Sequence, residues 1–91
     1  MTTFVIERNV PGASALTPAE LKEIATASNA VVEGLGVTYT WHHSYVAGDK
    51  IYCVHETDDA ETVREHARRG NFPADVVVEV AATIGPETAD S

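Results

Sequence analysis

Cysteine is almost absent: Cys53 is the only one in 91 residues. No intramolecular disulfide can form, and no thiolate metal cluster can be built from one chain, which fits a reducing compartment and an expected cytoplasmic location. Basic residues are scarce as well. Six Lys and Arg stand against 14 Asp and Glu, a formal net charge of −8, and such a surface repels the phosphate backbone that dominates nucleic-acid affinity. Nucleic acid is therefore not an expected partner, whereas a cation suits the acidic field. The longest apolar runs are three or four residues, against the roughly 20 needed to cross a bilayer, and no charged-then-apolar leader opens the chain. No membrane association is expected.

What remains is the composition of an ordinary globular domain. Hydrophobic residues make up 44% and charged residues 22%, enough for one core, in a chain too short for two. The expected organisation is a single domain over 1–84 followed by a polar tail, 85–91. A domain this small leaves much of its surface unburied, so a homodimer is expected.

Phe4 and Ile6 alternate with Val5 and Glu7, the period of two of a half-buried strand, β1 (4–8). The first helix, α1, opens with full punctuation: Thr17 as N-cap, Pro18 at N1, Glu20 at N3, and Leu16 with Leu21 as a hydrophobic staple. Leu21, Ile24, Ala25, Ser28, Val31, Val32 and Leu35 follow at helical spacing, and Gly34 or Gly36 supplies the left-handed residue that ends the helix. Two segments rich in β-branched and aromatic residues, β2 (37–46) and β3 (50–57), flank the tight turn Gly48-Asp49. A second helix, α2, starts with Asp58 and Glu61 as a capping box, turns Val63 and Ala67 inward, and stops at Gly70 after Arg68 and Arg69. The run 76–84 makes β4. This βαββαβ order with right-handed crossovers predicts an α+β, ferredoxin-like domain. Its four-stranded antiparallel sheet has β1 and β3 central, both helices on one face, and the other face open.

With Gly48 and Asp49 in the turn, Tyr45 falls opposite Tyr52, His43 opposite Val54, and Trp41 opposite Glu56. The open face is then expected to carry Val5, Glu7, Tyr39, Trp41, His43, Tyr45, Tyr52, Val54, Glu56, Val77 and Glu79. His42, Ser44, Val46, Ile51, Cys53 and His55 point to the helices, together with Val76, Val78 and Val80. An open face with so many aromatics is too apolar to leave wet, and with so many carboxylates too charged for a dry core. A dimer that closes over a polar cleft lined by Trp41, Tyr45 and Tyr52 meets both constraints.

On a strand His42 and His43 face opposite ways and cannot chelate one ion together. His43 with Glu7, Glu56 and Glu79 offers imidazole and carboxylate donors that suit a divalent ion of borderline hardness, such as nickel or zinc. The competing use of those carboxylates is pairing with Arg8, Lys50 or a partner subunit. His42 with His55 across the hairpin, and His66 on α2, are the alternative metal ligands. His66 reads first as a helix histidine that donates a hydrogen bond, and Cys53, beside Ser44 and Ile51, as core filling. Gly34-Leu35-Gly36 is a helix stop and not a phosphate loop.

The stretches Phe4-Val5-Ile6-Glu7-Arg8, Val10-Pro11-Gly12, Trp41 with Ser44-Tyr45-Val46, Lys50-Ile51-Tyr52-Cys53-Val54, Arg64-Glu65-His66-Ala67, Gly70, and Phe72-Pro73-Ala74-Asp75 resemble a family of small bacterial domains whose members include nickel-binding proteins. The match runs from Phe4 to Val80. The resemblance implies a ferredoxin-like fold, a dimer, and nickel as the metal. The expected function is thus a non-enzymatic, dimeric nickel-binding protein. Two alternatives stand beside it: a dimer resembling cofactor-independent oxygenases and isomerases, with Tyr39, Trp41, His43, Tyr45 and Glu56 around a pocket, and a dimerisation module with no ligand.

Overall fold

The computed structural model of the protein describes residues 1–90. The strands are β1 (Thr2–Asn9), β2 (Thr40–Ala47), β3 (Lys50–Thr57) and β4 (Val76–Glu79), and the helices are α1 (Pro18–Gly34) and α2 (Ala60–Gly70). All strand pairs are antiparallel and the order is β2-β3-β1-β4. This is the ferredoxin-like α+β arrangement, with β1 and β3 in the centre. Phe4, Ile6, Ala13, Ile51, Cys53 and Val63 form the buried cluster between the sheet and α2, and strict alternation along β1 and β3 puts the intervening residues, Val5 and Glu7 with Tyr52, Val54 and Glu56, on the open side.

The β2–β3 hairpin is clamped at its turn. The Val10 N–H donates to the Asp49 carbonyl at 2.9 Å, the Gly12 N–H to the Asp49 carboxylate at 3.0 Å, and the Ser14 hydroxyl to the Gly48 carbonyl at 2.8 Å. The β1–α1 loop therefore holds the tip of the hairpin, and Gly12 and Gly48 take the left-handed conformations, φ 77° and 61°, that these turns require.

Thr17 accepts from the Glu20 N–H at 3.2 Å while its own N–H donates to the Glu20 carboxylate at 3.0 Å, so the expected capping box of α1 is formed. α2 begins one residue later than expected. Asp59, not Asp58, is the N-cap, accepting from the Thr62 N–H at 2.8 Å; either aspartate could serve by chemistry, and the one followed by threonine at N3 wins. Its far end falls at Gly70 as expected, and the left-handed residue just beyond it is Asn71, φ 55°. Gly70 has another reason to be glycine: a Cβ there would collide with the Phe72 ring.

Two expected side-chain faces are reversed. In β4, Val77 pairs with Ile6 and Glu79 with Phe4, so Val77 and Glu79 lie on the helix side and Val76 and Val78 on the open side. Consecutive valines carry no alternation from which the phase could be read. The β4 ladder also ends early: the Val80 N–H donates to the Thr3 carbonyl at 2.8 Å, and residues 81–84 lie outside the strand. Residues 86–90 of the expected polar tail form a short 3-10 turn. In β2 the ladder pairs His43 with Val54 but Trp41 with His55 and Thr40 with Glu56, leaving His42 as an extra residue in a β-bulge. Trp41 and Tyr39 consequently turn to the helix side and His42 to the open side, the opposite of the regular ladder.

The capping box gives the first prediction. Thr17→Ala should lower unfolding free energy by about 1 kcal/mol, read as a lower urea midpoint at unchanged slope; an unchanged midpoint would show that α1 does not depend on its cap.

Candidate functional site

The structure divides the expected site residues between two faces. On the open face, Glu7 pairs with Lys50 at 3.1 Å and sits across from Tyr52. Glu56 is opposite Thr3, four residues further along β1, roughly 13 Å away at about 3.3 Å per residue. Glu79 is on the other side of the sheet. Glu7, Glu56 and Glu79 therefore do not converge within one chain, since β1 pairs with β3 in a register that separates the first two and the β4 phase removes the third. What the bulge brings together instead is His42 and Glu56, with Nε2 2.8 Å from Oε1 and both side chains solvent-accessible. His43 packs its ring edge-on against Tyr45 at 5.1 Å on the same face. Tyr45, Val76 and Val78 are exposed there, at 63%, 38% and 54%. Among the described residues, no group of three or more His, Cys, Asp and Glu side chains is arranged to hold a metal ion.

On the helix side, His55 and His66 are both 1% exposed and their rings meet edge to face at 5.0 Å, so neither is available to His42 across the hairpin. Tyr39 stacks on His66 at 5.2 Å and shares a hydrogen bond with His55 Nδ1. Phe72 stacks against His66 at 5.6 Å, and the Arg8 guanidinium lies 5.6 Å from the centre of the same Phe72 ring. His66 Nε2 is 3.0 Å from the Ser28 hydroxyl, joining α2 to α1. A cavity of about 350 Å³ opens between α1 and the sheet, with Arg8, Cys53, His55 and His66 among its lining residues and Trp41 at β2. Of the expected pocket residues Trp41 lines this cavity, its indole N–H donating to the Ser44 hydroxyl at 2.9 Å, while Tyr45 and Tyr52 belong to the open face. Cys53 is buried as expected, and it borders the cavity.

Sequence reasoning offers Arg8 only as a partner for the open-face carboxylates, whereas it is 5% exposed and pairs with none of them. Its alternation with Phe4 and Ile6 was a legible signal, since the same strand phase puts all three toward the helices.

Burial pushes the His55 pKa down to about 3, helped by His66 and Arg8, and the His66 pKa down to about 4, helped by Arg8. Burial also holds the Tyr39 phenol above its ordinary range, so it stays protonated. Both imidazoles are neutral in the folded protein, while in the unfolded chain they take up protons near pH 6.5. Stability is thus fully present above about pH 6.5 and is lost as pH falls toward about 4 and about 3, at roughly 1.4 kcal/mol per unit for each histidine. A domain with about 5–15 kcal/mol of stability should show urea midpoints that fall steeply between about pH 6 and pH 4.5, and His55→Gln should flatten that slope. Midpoints independent of pH across this window would contradict neutral burial.

No curated protein matches the chain. A solved structure, the crystal structure of SCO4226 from Streptomyces coelicolor A3(2), superposes with a TM-score of 0.73 at 25% sequence identity, covering 90% of this chain and 99% of that one. A family model described as nickel responsive protein SCO4226-like matches residues 4–80. The match spans the sheet, both helices and the His42–Glu56 pair, and the chain belongs to the SCO4226-like family of nickel responsive proteins.

Proposed function

We propose that the protein is a non-enzymatic, cytoplasmic homodimer that binds a divalent transition metal, nickel foremost, at the bulged end of β2. The observation that carries the reading is the contact between His42 and Glu56, an imidazole and a carboxylate held together at an accessible edge of the open face. These donors suit nickel or zinc better than magnesium or calcium. The family's description as nickel responsive supports nickel. His43 lies on the same face against Tyr45 and does not join the pair within one chain, and Glu7 and Glu79 have no part in the same ion's shell.

Two donors from one chain leave most of an ion's coordination to water or to a second copy. Closure of two open faces about a two-fold axis covers Tyr45, Val76 and Val78, and burying each such side chain contributes roughly 1.5–3 kcal/mol. It also doubles the set of imidazoles and carboxylates at the interface. Metal binding and assembly are thereby linked, because an ion that bridges two copies stabilises the dimer by mass action.

Calorimetry on protein without a histidine tag should give nickel binding tighter than about 0.1 mM, and His42→Ala or Glu56→Gln should weaken it about tenfold or more. Glu79→Gln should leave it unchanged. Acidification should weaken binding, since the donors must be deprotonated. Sedimentation should show a dimer at micromolar concentration. The reading fails if no divalent ion binds below about 1 mM, or if binding survives both substitutions intact.

A further inference from the structure

The helix-side cavity is chemically unlike the open face. Its walls are apolar, formed by Leu21, Ile24 and Ala25 of α1 with Trp41, Val46 and Ile51 of the sheet. Its volume, about 350 Å³, falls within the roughly 300–1,000 Å³ of small-molecule sites. Its polar lining residues are Arg8, Ser28, Ser44, Cys53, His55 and His66, with Ser28 engaged by His66 and Ser44 by Trp41.

Arg8 is the unusual member. Its side chain is buried, its Nε donates to Cys53 Sγ at 3.3 Å and its Nη1 to the Pro73 carbonyl at 2.6 Å. Among the described residues no carboxylate lies within 4 Å of it and Nη2 makes no hydrogen bond. The chain has 14 acidic residues, yet the nearest in sequence, Glu7, points to the other face and pairs with Lys50. A buried guanidinium facing only neutral partners is costly unless a counter-charge joins it. The two histidines beside it are held neutral and supply none. A lining residue also carries an unmet polar atom: His66 Nδ1 is buried without a hydrogen-bond partner, its other nitrogen being engaged with Ser28.

We propose that this cavity binds a small monocarboxylic acid with an apolar body, the carboxylate received by Arg8 and a second polar contact made at His66. One buried positive charge with neutral imidazoles around it matches one negative charge; a phosphate dianion would leave a charge unmatched. Walls of leucine, isoleucine, valine and tryptophan match an aliphatic or aromatic body. The guanidinium fork fits a carboxylate with two parallel hydrogen bonds, and Nη2 is free to make one of them.

Trp41 is the only tryptophan and lines the cavity, so its fluorescence reports occupancy. Octanoate and phenylacetate should change that fluorescence saturably, with a Kd below about 1 mM, and should raise the melting temperature. Octanol and phenyl phosphate should bind about tenfold more weakly or not at all. Arg8→Lys, which keeps the charge but loses the fork, should weaken octanoate about tenfold. Should that variant fail to fold, Ala25→Phe on half-buried α1 fills the cavity from its wall, and should abolish the response while circular dichroism stays native. His42→Ala should leave octanoate binding unchanged, which separates this site from the metal. The proposal is overturned if octanol binds as tightly as octanoate, if Ala25→Phe binds octanoate normally, or if no carboxylate perturbs Trp41 at about 10 mM.

Discussion

The helix side of the domain depends most on one buried contact, the hydrogen bond between Ser28 and His66, which an exposed bond from Arg69 to the Gly34 carbonyl at 3.0 Å reinforces at the far end of α1. Ser28 is the buried residue of α1, while the apolar stripe around it, Leu21, Ile24 and Ala25, is only half-buried. α1 is thus tethered to α2 by a polar contact and does not seal onto the sheet as a ridge of aliphatic side chains would. The cavity follows from that tether: the stripe faces β2 across open space. His66 is held neutral by burial among Tyr39, His55 and Phe72, with Arg8 nearby. Charging it would put a second cation beside Arg8.

A single extra residue governs the other face. Without the bulge, the β2 ladder would place Trp41 beside Glu56 on the open side and His42 beside His55 among the helices. With it, Trp41 closes the cavity and His42 meets Glu56. The bulge therefore exchanges an aromatic for an imidazole at the accessible edge and moves the aromatic to where an apolar wall is needed. Edge strands accommodate such irregularity readily, because one side of the ladder has no partner to disrupt.

Legibility in the sequence followed the strength of local signals. The capping box Thr17-Glu20, the Gly48-Asp49 turn and the alternation of β1 and β3 each combine residue type with position, and each stands in the structure. The register of β2 was readable from the turn as far as His43 and lost beyond it, since nothing in Thr40-Trp41-His42-His43 marks which residue bulges. The run Val76-Val77-Val78 had a strand's composition and no phase. Pairing across strands decided it, with Val77 packed beside Ile6 in the core. The site reading inherited both losses: Glu79 among the metal ligands and Trp41 in the pocket rest on phase, and Glu7 on strand adjacency without the β1–β3 register. Fold class survived because strand order depends on element sequence and handedness, which tolerate a slipped residue.

Adjacent residues of the central strand show how the two faces stay chemically separate. Glu7 turns to the open side and is neutralised by Lys50, whereas Arg8 turns to the helix side and finds no acid. The period of two thus sorts opposite charges to opposite faces, with one backbone between them. An anion beside Arg8 and a cation beside Glu56 would each lie on its own side of the sheet, sharing no ligand and no side chain. Binding energies at sites without shared partners add, with little coupling. Closure of the open face between two copies would also leave the cavity mouth, between α1 and β2, on the outer surface. On the two proposals together, assembly would use one face while the other stays open to a small molecule.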